Sequence, residues 1–352
     1  MKIDDKMPAI TRAVAAARRA FVAASALAVL LLGAAAWAAG PDHLSIRLDW
    51  TPWGDQAAFH LAQVKGWYRA NNLDVDIEDG NGTVTTVQIV GNGQYDAGYA
   101  ALSAMMVARQ KGLPVRAIAT YLRKSDIGLM VPVDSPIKSP KDLAGKKIGY
   151  TAGSLEAPFI DLFLAAGGLT RDQVGLTNLD GSAKIGNYLA GRLDGAFSSL
   201  PFFLPLASKA RPSRGIAFTD YGLKFPSFGI FATEASIKKN RAALTRFVSV
   251  TSGTWAYILK GHEEEAVQAM IKDRPQSKLK PDLLLGQIKS FETFFDTPAS
   301  RGKPVGYQAA ADWNAAVDTL EKVKLVEPGA KASDFYTDEL FDPAIYNRIA
   351  GE

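Results

Sequence analysis

Gly93-Gln94-Tyr95-Asp96-Ala97-Gly98-Tyr99 and Gly191-Arg192-Leu193-Asp194-Gly195-Ala196-Phe197 match position by position, 98 residues apart. Each copy has a glycine that can end a helix, a residue pair, an aspartate, two small residues and an aromatic. The interval is about one α/β lobe, so the echo predicts two similar lobes facing each other. Working outward, strand-like runs alternate with amphipathic helices. Leu44–Leu48, Asp74–Glu78, Tyr95–Ala100, Val115–Tyr121, Lys147–Tyr150, Asp194–Phe197 and Gly215–Phe218 read as short buried strands. Between them Leu155–Ala166 carries apolar residues at helical spacing, and the alternation is an α/β signature. The outward crossing between lobes is expected near Ser125–Met130 and the return near Phe228–Phe231. Beyond it the chain reads as mostly helical. Arg241–Lys260 has Leu244, Phe247, Val248, Thr251, Trp255 and Ile258 on one stripe, expected to pack on the first lobe. Ser300–Gly306 reads as a loop between the last helices.

The N-terminus reads as an export signal. Lys2, Lys6, Arg12, Arg18 and Arg19 precede the apolar run Phe21–Leu32, and Ala36-Trp37-Ala38 offers a cleavage site after Ala38. Arg18-Arg19-Ala20-Phe21-Val22 fits a twin-arginine signal as well as an ordinary secretory one. The run is short for a membrane span. The chain has no cysteine, which excludes disulfides, thiolate metal sites, a cysteine nucleophile and a lipid-modified cysteine anchor. A free periplasmic protein is the expected result. Of 40 basic and 36 acidic residues, the first 38 positions hold five and two, leaving 35 against 34, a net charge of +1. With no basic stripe interleaved with aromatics, nucleic acid is not an expected partner.

Asp49-Trp50-Thr51-Pro52-Trp53 directly follows the first strand. Pro52 fixes its own φ and keeps Thr51 extended, so two indoles sit on a stiff turn. They suit a planar organic ligand or, equally, packing between lobes. Enzyme motifs are weak. His43, His60 and His262 lack metal spacing, and no metal site or cofactor is expected. Ser135-Pro136-Ile137-Lys138 and Ser236-Ile237-Lys238-Lys239 fit S-x-x-K only as strings, without companion motifs.

Five segments together resemble the periplasmic solute-binding proteins of ABC importers. They are Asp49–Pro52, Ala62-Gln63-Val64-Lys65-Gly66-Trp67-Tyr68, Gly91-Asn92-Gly93-Gln94-Tyr95-Asp96, Lys111-Gly112-Leu113-Pro114-Val115, and Ser139-Pro140-Lys141-Asp142-Leu143-Ala144-Gly145-Lys146-Lys147-Ile148-Gly149. The last resembles the entry into the family's second lobe. The chain is most similar to the sulfonate, nitrate and thiamine-pyrimidine-precursor branch. Asp-Trp-Thr-Pro resembles the pyrimidine-precursor binders, where asparagine commonly follows; Trp53 stands there instead. Ser154-Leu155-Glu156-Ala157 resembles that branch's second-lobe segment, whose acidic residue faces the cleft.

The resemblance implies a type II, two-lobed periplasmic binding protein fold of α/β class, with a cleft between lobes and a helical C-terminal part on lobe 1. The expected division is a signal peptide at 1–38, lobe 1 at 39–126 and 229–352, and lobe 2 at 127–228. The implied partners are a small-molecule solute and an inner-membrane permease with its ATPase, served by a monomer. A related fold supports pyrimidine synthesis as an enzyme that consumes its own histidine, so an exported enzyme on a pyrimidine-like substrate is the alternative of another class.

Ligands of open α/β sheets sit beyond the carboxyl ends of strands, near helix N-termini. That rule selects Trp50, Trp53, Gly82, Thr83, Ala101 and Tyr121 on the first lobe. On the second it selects Gly153, Ser154, Glu156, Ser198 and Ser199, with Ser227 at the return crossing. Glu156 is expected to accept from an amine, Ser154 and nearby N–H groups to take polar edges. Asp55, Arg123 and Lys124 read as solvated rim. An alkanesulfonate, nitrate or aromatic-acid site would instead use Arg123 or Lys124.

Overall fold

A computed structural model describes residues 40–207 and 209–352. The export segment and its cleavage point lie outside the described residues. Two five-stranded sheets organise the chain. The first runs β2-β1-β3-β10-β4, from β1 (Asp42–Arg47), β2 (Leu73–Glu78), β3 (Ala97–Ala101), β4 (Val115–Thr120) and β10 (Phe228–Thr233). The second runs β7-β6-β8-β5-β9, from β5 (Ile127–Pro132), β6 (Lys147–Tyr150), β7 (Gly175–Asn178), β8 (Gly195–Ser199) and β9 (Ser213–Ala217). The α/β class and two-lobed periplasmic binding protein arrangement are therefore as expected.

The echo has a physical cause. Gly93 and Gly191 both take left-handed backbone, φ +77° and +74°, to end a helix before the central strand of each sheet. Asp96 then accepts from the Ser45 amide at 2.9 Å, while its own amide donates to Ser45 O at 2.9 Å. Asp194 does the same with Lys147, at 2.8 Å both ways. Each aspartate thus locks the register of a parallel pair, β1 with β3 and β6 with β8.

The crossing segments themselves become strands. β5 lies antiparallel beside β8, and β10 antiparallel beside β3. Sequence reading gave them only as crossings and missed β7. It also placed a continuous helix over Leu155–Ala166. The structure has a 3-10 turn at Ala157–Phe159 and an α-helix only over Ile160–Ala165. Pro158 lacks an N–H and disfavours α geometry in the residue before it, which delays the helix.

The expected stripe residues of the C-terminal part are buried, but their helix is not one-sided: every residue from Phe247 to Ile258 is buried, so it is a core helix rather than an amphipathic one. The helix Arg241–Ile258 buries Leu244, Phe247, Val248, Thr251, Trp255 and Ile258. It packs in one core with Leu44, Phe59, Tyr99 and Ile230 of the first lobe. A second core joins Met105 and Phe231 to Leu129, Phe163 and Phe197, so apolar packing is continuous across the crossings. Among the described residues no helix is long and apolar enough to cross a membrane.

Candidate functional site

The loop after β1 folds back over its own sheet. Gly80 and Gly82 donate to Trp50 O and Asp49 O at 3.0 and 2.7 Å. A Cβ on Gly80 would stand 2.1 Å from Leu48 O, so only glycine allows this approach. The fold-back turns the Asp49 carboxylate inward, where Oδ2 accepts from Thr83 Oγ1 at 2.9 Å and Oδ1 has no bond of ordinary geometry, although the Gln56 amide lies near enough to favour the charged form. Asp55, in the 3-10 turn Gly54–Gln56, is fully buried, and neither of its oxygens makes a hydrogen bond. The Tyr99 hydroxyl on β3 lies near enough to favour the charged form of Asp55, yet it too lacks a bond of ordinary geometry. Asp126, on the outward crossing, is fully buried; its Oδ1 accepts from Ser227 Oγ on the return crossing, and its Oδ2 is unpartnered. The buried Ser199 Oγ at the end of β8 stands beside it without a bond of ordinary geometry.

Three carboxylates from the first lobe and the crossing therefore converge, with four oxygens unpartnered. Their electrostatics are coupled. Burial, followed by the Asp126 charge, pushes Asp49 up to about 7, against the Thr83 hydrogen bond. Asp55 is raised well above the usual carboxylate range by burial and then by the charges of Asp49 and Asp126. Asp126 is raised by burial, with Ser199 and Ser227 opposing. Desolvation and like charge act together here. Tyr99 is raised by burial and by the same acids.

Facing them in the second lobe, Glu156 is 1% exposed and pairs with Lys184 at 2.7 Å. Lys184 also donates to Phe197 O at 2.7 Å. The acidic residue expected to take an amine is thus already neutralised within its own lobe. Ser154 Oγ donates to Thr151 O at 2.8 Å, and Gly153 supplies left-handed backbone (φ +78°) to the same turn. Ser198 and Ser199 are buried at the end of β8. Ala101 opens the helix Leu102–Gln110, whose first amide donates to Ser227 O at 2.7 Å.

The two indoles separate in role. Trp50 is half-buried and reaches across to the second lobe, its ring 3.6 Å from where a Gly181 Cβ would stand. Trp53 is buried against Phe202, Phe228 and Phe291, with ring centroids at 5.1, 5.8 and 5.2 Å. Gln287 reinforces this seam, accepting from Gly54 N at 3.0 Å and donating to Phe202 O at 3.3 Å. Tyr121 is fully buried, and its hydroxyl pairs with Ser252 at 3.4 Å.

Asp55 and Arg123 are not solvated rim. Arg123 is 4% exposed at the crossing and donates to Tyr307 O, Phe295 O and Pro304 O, with Asp296 as counter-ion at 3.0 Å. Lys124 caps Thr293 O at 2.8 Å. The guanidinium is spent on pinning the crossing to residues 295–307. Arg123→Met is therefore expected to cost about 3 kcal/mol, because three carbonyls lose a charged donor. Chemical denaturation checks this, and a loss below about 1 kcal/mol would mean that the hub is not formed in solution.

A separate groove lined by Arg109, Leu113, Glu234, Pro328 and Phe335 has Arg109 and Glu234 paired at 2.8 Å and includes none of these carboxylates. Sequence reasoning passed over Asp49 as a ligand group, and over Tyr99, Asp126 and Lys184. Asp49 and Tyr99 lay within motifs it had singled out. Asp126 closes the polar run Arg123-Lys124-Ser125-Asp126, which carries no local sign of burial.

Two α/β lobes joined by antiparallel crossing strands, with polar groups gathered between them, define the periplasmic binding protein fold. The chain belongs to the NMT1/THI5-like family, whose sequence profile matches residues 53–266. It is similar to a Haemophilus influenzae protein named for thiamine biosynthesis, 27% identical over 68% of this chain and 76% of that one. A formylaminopyrimidine-binding protein of Halalkalibacterium halodurans is 22% identical over 84% of this chain and 90% of its own. The aliphatic sulphonate-binding protein SsuA of Escherichia coli shares the fold, with a TM-score of 0.65, 18% identity, and coverage of 84% and 92%. A pyrimidine phosphate synthase of Saccharomyces cerevisiae is 30% identical, but over 31% of this chain and 32% of its own. The relatives that span most of the chain do not include that enzyme.

Proposed function

We propose that this chain is the exported solute-capturing component of an ABC importer. It closes lobe 1 (39–126 and 229–352) and lobe 2 (127–228) on a small amino-bearing aromatic ring of the aminopyrimidine kind. The solute then passes to a membrane permease driven by a separate ATPase. One observation carries the reading: four unpartnered oxygens on the buried Asp49, Asp55 and Asp126, which lie on the loop that carries the half-buried Trp50 and on the outward crossing. Buried carboxylate oxygens need donors, and an amino heterocycle supplies N–H groups on a planar edge. A sulfonate or nitrate needs cationic or N–H donors, and Arg123 has its donors engaged. Closure derives its free energy from differential binding to the closed state.

The family likeness agrees with this assignment, since a relative spanning 84% of the chain is named for formylaminopyrimidine binding. Thermal melting against aminopyrimidines, sulfonates, nitrate and aromatic acids tests it. A solute at about 100 times its dissociation constant should add ~2.7 kcal/mol. A rise in Tm with sulfonates or nitrate alone would overturn the reading. Trp50→Ala should then weaken aminopyrimidine binding about tenfold, from the loss of stacking. An unchanged Kd removes Trp50 from the site. Recovery of the solute chemically unchanged distinguishes capture from catalysis.

A further inference from the structure

The residues between the lobes differ sharply in what they leave free. Unpartnered acceptors dominate: four carboxylate oxygens of Asp49, Asp55 and Asp126, and Gln56 Oε1. Donors left without partners nearby are the hydroxyls of Tyr99 and Ser199 and the Trp53 indole N–H, all on residues at least nine-tenths buried. The charges facing this space can be followed element by element. Asp49 and Asp55 come from the turn after β1, Tyr99 from β3, Tyr121 from the end of β4, and Asp126 from the crossing. From the second lobe come Glu156 and Lys184, already joined at 2.7 Å. The nearby arginine, Arg123, is turned onto carbonyls of residues 295–307. No free protein cation among these groups balances the three acids.

We infer that the cleft selects its solute by charge, taking a ring that carries an ammonium group in preference to an uncharged counterpart of the same shape. This deepens the proposed function and rests on its placing of the site between the lobes. Burial and like charge hold protons on these acids in the solute-free cleft, and a neutral solute leaves them so. A cation supplies the missing counter-charge, so that an acid can release its proton and form an ion pair on entry. Tyr99 and Ser199 stand beside Asp55 and Asp126, respectively, and can steady the two ends of such a pair.

The test uses two rings differing in one group. The first is 4-amino-5-hydroxymethyl-2-methylpyrimidine, the unphosphorylated form of the compound in the yeast synthase's name. The second is its aminomethyl analogue, a primary ammonium at neutral pH. Putrescine supplies cationic charge without a ring. Calorimetry on the purified protein is expected to show the aminomethyl compound binding at least about tenfold tighter. That ratio should collapse toward one in Asp55→Asn, and in Asp126→Asn should the first variant fail to fold. Equal affinity for the two rings, or tighter binding of the hydroxymethyl ring, overturns charge selection while leaving the aminopyrimidine reading intact. Binding of putrescine but of neither ring supports charge selection and defeats the aminopyrimidine reading. Binding of none of the three defeats both. A ratio that survives both substitutions removes the carboxylates from the role.

Discussion

Raising the pH from about 4 to about 7 is expected to destabilise the solute-free protein, and Asp49→Asn is expected to abolish much of that loss. Asp49 moves from 3.8 to about 7 on folding because its carboxyl is desolvated. A group whose folded value lies above its unfolded value holds more protons in the native state, so stability falls as pH rises between the two. At about 1.4 kcal/mol per unit, three units correspond to on the order of 4 kcal/mol at Asp49 alone. Asp55 and Asp126 act in the same direction. Asp273, held low by His60 and Arg274 against its own burial, and Glu265, held low by Tyr257, act oppositely in a lower window. The difference between wild type and variant isolates Asp49.

Asparagine keeps an acceptor for Thr83 and cannot ionise. The two proteins should therefore match near pH 4 and diverge progressively, with the variant more stable above neutrality. Denaturant melts across that range measure the gap. Parallel curves would mean that the carboxyl stays solvated. The same proton accounting predicts that a cationic solute binds more tightly as pH rises through about 7, since Asp49 then has no proton to give up. Stability lost in the free protein is here coupled to function, a trade-off common at binding sites.

What the sequence shows of this protein divides along a physical line. Backbone periodicity and turn chemistry are local. Seven of the ten strands, the apolar positions of Arg241–Ile258 and the Asp96/Asp194 echo could be read, the echo because each aspartate binds a strand directly beside it. Burial of a polar group is not local. Asp126 is covered by Ser227, 101 residues on, and Arg123 by carbonyls more than 170 residues away. A run such as Arg123-Lys124-Ser125-Asp126 looks like solvated surface until the return crossing closes over it. Trp53 is ambiguous for the same reason, because Phe202 and Phe291, which enclose it, belong to distant helices. The loops bordering the site were legible. Of the acids within it, Asp55 reads as rim, Asp49 lies in a quoted motif without a ligand role, and Asp126 has no motif to mark it.

Lys184→Met is expected to be the most destabilising single change in the second lobe, at about 3–5 kcal/mol. The substitution leaves the Glu156 carboxylate 1% exposed and without its counter-ion at 2.7 Å, while Phe197 O loses its donor. The cost comes from the stranded charge more than from the lost attraction, which gives the prediction its control. Adding Glu156→Gln to Lys184→Met should restore most of the stability, because the uncompensated charge is gone. Denaturant unfolding of the four-protein cycle measures this. If the double variant is as unstable as Lys184→Met, packing rather than charge holds the segment. The pair ties the Thr151–Glu156 turn to the helix Gly181–Leu189, whose Gly181 lies against Trp50. Because the pair is neutral as a unit, its effect on the cleft is reduced to the push of the Glu156 charge on Asp126, the smallest of the causes that act there. Removing both members should therefore disturb solute affinity far less than Asp55→Asn, and an equal loss would return the amine-accepting role to Glu156.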